Sequence, residues 1–155
     1  MAWADNFIIT EHLPNVMNEV EVKILEIDVK KAIKKLEELG AEKVFEGDIQ
    51  ARYFDYPDGK LKKSHSTLRL RRKGELVELA FKTKNGEDDS VKSQEEIETV
   101  VSDLEMTRKI LISLGMLEKK GLVKQRVSYA LGKMHFEFDT FVGIPTFLEI
   151  EAHSA

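Results

Sequence analysis

Carboxylates recur two residues apart in this chain, at Glu19 and Glu21, Glu96 and Glu98, and Glu149 and Glu151, with Asp139 on a similar stretch. Cations repeat the spacing at Arg69 and Arg71, Lys82 and Lys84, and Lys124 and Arg126, and Lys23 extends the first acidic run. On a strand, side chains two residues apart point to one face. Like charges so placed lie roughly 7 Å apart and repel by about 2 kcal/mol at an effective dielectric near 20. Such repulsion is tolerable where something of opposite sign fills the space between. It also predicts that removing Arg71 or Arg126 relieves an empty site and raises thermal stability. Clustered carboxylates are hard oxygen ligands suited to Mg²⁺ or Mn²⁺. Clustered Arg and Lys suit phosphate oxygens. With the signs sorted by strand, the pattern points to a metal–polyphosphate site inside a barrel with a polar lumen.

The elements that must position these residues follow from periodicity and punctuation. Glu19–Ile24 alternates, with Val20, Val22 and Ile24 expected to face a core. Asp28 caps a helix carrying Val29, Ile33, Leu36 and Leu39, which Gly40 stops. A strand is predicted near Gln50–Tyr56, then a turn at Pro57-Asp58-Gly59. Thr67–Arg72 and Leu76–Lys84 read as a hairpin across Gly74-Glu75. Asn85–Lys92 reads as a mobile loop, and Glu95–Val101 as a strand. Ser102-Asp103-Leu104-Glu105 has the form of a capping box, opening a helix that Gly115 closes. Strands at Val123–Tyr129, Lys133–Thr140 and Phe147–Glu151 complete the chain, with a bend at Gly143-Ile144-Pro145. Strand, Asp-started helix and hairpin occur twice, which implies a sheet closed by pseudo-symmetry with one helix outside each half. The fold class is α+β, seven or eight mostly antiparallel strands and two helices.

The 155 residues and net charge of −4 describe one domain and give no support for nucleic-acid binding. The absence of cysteine removes disulfide and thiolate-metal chemistry and fits a reducing cytoplasm. No apolar run approaches the ~20 residues of a membrane span. Residues 1–16 differ from the rest and read as an extension of unknown origin, with the domain at 17–155. His65 and His135 are expected on the surface or tunnel wall, and Tyr53 and Tyr129 in packing. Oligomeric state is left open, with a homodimer among the choices.

The runs Glu19-x-Glu21-x-Lys23, Leu68-Arg69-Leu70-Arg71, Phe81-Lys82, Glu96-Ile97-Glu98, Lys124-x-Arg126, Asp139 and Phe147-Leu148-Glu149-Ile150-Glu151 resemble the CYTH superfamily of triphosphate tunnel metalloenzymes. The resemblance covers about Asn18 to Glu151. It implies an eight-stranded antiparallel tunnel with helices outside, binding a small-molecule triphosphate and a divalent metal. Carried over, Glu19, Glu21, Glu149 and Glu151 hold metal, with Asp139 beside them. Lys23, Arg69, Arg71, Lys82, Lys124 and Arg126 hold phosphates. Glu96 and Glu98 line the tunnel and orient bases or water. Glu19, Glu21, Lys23, Arg126 and Asp139 form the expected catalytic set. Two features depart from the family pattern: the chain ends soon after the final acidic strand, without a further C-terminal element, and Thr83-Lys84-Asn85 replaces a common Gly-Pro. The expected activity is a triphosphatase, since no signature of an adenosine pocket is found. A class IV adenylyl cyclase and a binder without turnover are the alternatives.

Overall fold

The computed structural model describes residues 15–84 and 92–154, and the side chains of residues 20–84 and 94–152. Alternating charged and apolar residues form eight strands, β1 (Asn15–Ile24), β2 (Glu42–Asp55), β3 (Ser66–Lys73), β4 (Leu76–Lys84), β5 (Lys92–Val100), β6 (Leu117–Leu131), β7 (Met134–Phe141) and β8 (Ile144–Ser154). All pair antiparallel, in the closed order β1-β5-β4-β3-β2-β6-β7-β8. The ring closes where Glu21 of β1 faces Glu151 of β8 and Val22 faces Ile150.

Three helices lie between strands: α1 (Val29–Glu38), α2 (Lys60–Lys63) and α3 (Leu104–Ser113). Asp28 caps α1 by accepting from the Lys31 N–H, and the chain leaves through Gly40 at φ 84°. Asp103, not Ser102, caps α3 by accepting from Met106 N–H, so the expected capping box is replaced by a plain Asp cap. The single turn of α2 was not legible as a helix. It hangs on Asp55, whose carboxylate accepts the N–H groups of Tyr56, Leu61 and Lys62.

Because the lumen is polar, the apolar cores lie outside the barrel. Against one side, α3 packs Leu104 and Leu111 on Phe54, Leu70 and Val77 of β2–β4. Against the other, α1 packs Leu36 on Tyr129, Phe136, Phe138 and Leu148 of β6–β8. Each helix therefore covers the hairpin of the opposite half of the chain, as the repeated strand–helix–hairpin pattern requires. Val20, Val22 and Ile24 point outward, away from the lumen, and keep 37–40% of their surface exposed, so the core expected beneath them is absent among the described residues.

β2 and β6 run 14 and 15 residues, far beyond the apolar stretches that marked them. Apart from the buried Ile49, their extra length is mostly exposed, and is held by pairing with each other. At Gly121 β6 runs too close to β2 for a side chain: a Cβ there would meet the Ala51 carbonyl oxygen at 2.6 Å. The loop expected at Asn85–Lys92 falls, but for Lys92, outside the described residues; of the extension expected at 1–16, residues 1–14 fall outside them, and Asn15 and Val16 belong to β1.

Candidate functional site

Inward-facing positions of the strands enclose a cavity of about 1080 Å³. Glu21, Lys23, Arg69, Arg71, Lys82, Lys84, Glu96, Glu98, Lys124, Arg126, Glu149 and Glu151 all line it. The backbone of Glu19 lies in β1 opposite His153, and its side chain is outside the described set. Asp139 has no exposed surface and sits behind Lys124 and Arg126. His65, His135 and Tyr53 line the cavity, whereas Tyr129 is buried in the outer core.

One wall is made by β3, β4 and β5. Arg71 pairs with Glu78 at 2.7 Å and reaches Glu98 at 3.5 Å. Arg69 lies 3.4 Å from Glu96 and 3.6 Å from Glu98, and Lys82 3.1 Å from Glu96. The Arg69 Nε is buried with no hydrogen-bond partner. Burial, and then the neighbouring Arg71, lower the Arg69 pKa, so this guanidinium is under-compensated. Burial and then Glu78 push the Glu98 carboxyl above the ordinary range. Five cations (Arg69, Arg71, Lys73, Lys82, Lys84) meet three carboxylates (Glu78, Glu96, Glu98) here.

The facing wall is made by β6, β7, β8 and β1. Arg126 is 4% exposed and donates to both oxygens of Asp139 at 2.6 Å and to Glu149 at 2.9 Å. Lys124 also pairs with Asp139, and Lys23 with Glu149 at 2.7 Å. Ser128 donates to Glu137. Burial opposes the charge on Asp139, but the hydrogen bonds and charge of Arg126 prevail and hold its pKa below the ordinary value. Burial drives Glu149 upward despite the Lys23 contact. It drives Lys124 downward, helped by Arg126. Four cations (Lys23, Lys119, Lys124, Arg126) meet five carboxylates (Glu21, Glu137, Asp139, Glu149, Glu151) on this wall.

Glu21, Glu149 and Glu151 bring carboxylate oxygens within 4.8 Å of one another. Ligands on opposite sides of a divalent ion, at about 2.1–2.4 Å each, lie about 4–5 Å apart. The trio therefore fits a hard divalent cation, and Asp139 lies outside it. The excess of carboxylates on this wall is the charge such an ion would offset.

Sequence spacing found most of the lumen but missed Glu78 and Glu137. Both sit on the same faces as assigned residues, Glu78 four positions before Lys82 and Glu137 two before Asp139, and that alternation was the available signal. The expectation that signs sort by strand holds only in part, since Glu78 shares β4 with Lys82. The expectation that Arg71 and Arg126 stand among uncompensated cations is overturned, because each is held by carboxylates from neighbouring strands.

The CYTH domain model matches residues 17–155, and the chain belongs to that family. Among solved structures, the PH1819 protein of Pyrococcus horikoshii OT3 is 26% identical with a TM-score of 0.73, covering 88% of this chain and 78% of its own. A Vibrio parahaemolyticus protein named as a candidate adenylate cyclase is 20% identical, TM-score 0.73, covering 88% and 76%. A Hippeastrum protein, for which a dominant triphosphatase activity is described, is 16% identical, TM-score 0.64, covering 88% and 80%. No curated protein matches the chain. Among the described residues no helix is long and apolar enough to cross a membrane.

Proposed function

We propose that this tunnel binds a linear triphosphate together with Mg²⁺ or Mn²⁺ and hydrolyses its terminal phosphoanhydride. The observation that carries the reading is the opposition of the two walls: a cation-rich wall with an unpartnered buried Arg69 Nε faces a carboxylate trio spaced for a divalent ion. Arg69, Arg71 and Lys82 bind phosphate oxygens on one side, and Lys23, Lys124 and Arg126 close on the other. Glu21, Glu149 and Glu151 would hold the metal. When bound, it supplies Lewis-acid polarisation of phosphate oxygens and charge neutralisation. Asp139 keeps Arg126 and Lys124 charged and aimed. A water oxygen bonds to the terminal phosphorus, the bridging P–O bond breaks, and its electron pair leaves on the shortened chain. Orthophosphate forms, and the water's proton passes to the released phosphates and solvent.

The Hippeastrum protein supports hydrolysis by analogy of fold. A cytoplasmic setting accords with the cysteine-free sequence. Incubation with Mg²⁺ or Mn²⁺ and either tripolyphosphate or ATP, followed by product analysis, tests the reading. Orthophosphate from tripolyphosphate is expected to appear faster than any product from ATP. Cyclic AMP and pyrophosphate as dominant products would replace hydrolysis by cyclisation. Tight binding without product would make the protein a binder.

A further inference from the structure

The two longer helices, α1 and α3, are one design used twice. Each has ten residues, an Asp N-cap (Asp28, Asp103) and a Leu C-cap (Leu39, Leu114). Each is followed by a glycine in the left-handed region, Gly40 at φ 84° and Gly115 at φ 86°. The caps therefore fix a residue-by-residue correspondence. Leu36 of α1 corresponds to Leu111 of α3, and both are buried against the barrel. On α1 the outward positions Lys31 and Lys35 are exposed, as charged residues should be. The corresponding positions of α3 hold Met106 and Ile110, which are 57% and 58% exposed. Leu114, at the end of the same row, is 67% exposed.

Met106, Ile110 and Leu114 stand four residues apart and so form one ridge. The ridge is turned about 100° from Leu111 and away from the barrel. It leaves on the order of 300–400 Å² of apolar surface open, the size that marks an interaction site on a monomer. The charges of α3 mostly lie elsewhere: Glu105 reaches Arg52 on β2 at 2.7 Å, and Arg108 pairs with Glu118 on β6. The Thr107 hydroxyl donates to the Asp103 carbonyl of its own helix. Lys109 stands at the rim of the ridge, which itself offers nothing to a charged or polar partner.

A ridge spaced by four is its own complement, because such ridges pack into grooves of the same spacing on another helix, crossing at about −50°. We propose that the α3 ridge docks on the same ridge of a second copy, making a two-fold homodimer outside the tunnel. About a two-fold axis at Ile110, Met106 of each copy meets Leu114 of the other, and the two Ile110 side chains meet. The helices then run antiparallel. The end of α3 with Asp103 and Glu105 lies beside the segment leading to Lys119 and Lys120 of the second copy, acid beside base. The ridge is less than half of the ~800 Å² that each partner gives up in a standard interface, which suits an apolar centre within a polar rim. The proposal stands apart from the triphosphate reading.

Sedimentation equilibrium of the full chain from about 1 to about 300 μM, where a contact of this size half-dissociates, is expected to show a monomer–dimer equilibrium. Met106→Lys/Ile110→Lys should be monomeric throughout. It gives α3 the residues that α1 carries at Lys31 and Lys35, so the variant should fold and melt with dilute wild type. A second measurement uses the absence of cysteine from the chain. Ile110→Cys places two thiols at the axis. Oxidised glutathione, itself reduced, should take their hydrogens and leave a disulfide-linked dimer. Lys35→Cys, at the corresponding position of α1, should link at least about tenfold more slowly, since no contact brings its thiols within disulfide reach. A wild type that stays monomeric to about 300 μM, a dimer that survives the double substitution, or equal linkage of the two cysteine variants would overturn the interface. A monomeric wild type that melts well above the double variant would also overturn it, and would assign the ridge to a covering segment of its own chain.

Discussion

Hairpin β3–β4 turns Arg69, Arg71, Lys82 and Lys84 into the lumen, whereas β7–β8, its counterpart in the second half of the chain, turns in Glu137, Glu149 and Glu151 with Asp139 behind them. One backbone pattern thus carries opposite charge in its two copies. Apart from Glu78, which pairs with Arg71 inside the first hairpin, each hairpin takes its counter-ions from the strands beside it. β5 supplies Glu96 and Glu98 to the first. β6 and β1 supply Lys124, Arg126 and Lys23 to the second. The matching is incomplete in opposite directions, one wall ending cation-rich and the other carboxylate-rich. A metal–phosphate complex is neutralised from both sides, which neither wall would do alone.

The walls also differ in how their ion pairs are buried, and that difference is the first to test. Arg126 is shared by Asp139, Glu149 and Glu137, all buried, with Lys124 also on Asp139 and Lys23 on Glu149. Arg126→Met should cost about 3–5 kcal/mol of unfolding free energy, because Glu137 loses its cation and Asp139 its bidentate donor in low dielectric. Urea unfolding would show it as a large fall in midpoint, and an unchanged midpoint would remove Arg126 from its central place. Arg71→Ala should cost less, about 1–3 kcal/mol, because Glu78 loses its donor while Glu98 keeps Arg69. A cost for Arg71 equal to that of Arg126 would erase the distinction between the walls.

The barrel was legible in the sequence because alternation at period two survives whichever face is buried. The identity of the inward face was legible for the same reason: charged i, i+2 pairs marked it on most strands. What alternation does not carry is cross-strand register. Glu78 against Arg71, and Asp139 against Arg126, are cross-strand partners within hairpins, and which residues meet depends on the turn that sets the register. So the sequence pattern suggested repulsion where the structure has compensated pairs. The outward placement of Val20, Val22 and Ile24 was missed because a period-two pattern implies a core on the apolar side without saying that the polar side encloses the cavity. The charged ends of β2 and β6 were missed because mutual pairing, not burial, holds them.

A smaller effect comes from Glu98, whose carboxyl is raised by burial and by Glu78. A carboxyl with a folded-state pKa above its unfolded value binds protons more readily when folded. Its contribution therefore declines as pH rises from the unfolded value through the raised folded value. Glu98→Gln removes that decline, so its stability relative to wild type should improve between pH 4 and pH 7. Thermal melts across that range would show it, and a relative stability that falls with pH would mean that Arg69 and Arg71 favour the charged form more strongly than burial opposes it.

The most direct test of the division between the walls is calorimetric titration, first with Mn²⁺ alone and then with tripolyphosphate. Glu21→Gln and Glu149→Gln are expected to weaken Mn²⁺ binding by more than about tenfold, as loss of a direct ligand should exceed typical effects outside the first coordination sphere. Arg71→Ala should leave Mn²⁺ affinity near wild type and weaken tripolyphosphate instead. Mn²⁺ affinity that survives both glutamate substitutions, or falls equally in Arg71→Ala, would contradict a metal wall facing a phosphate wall.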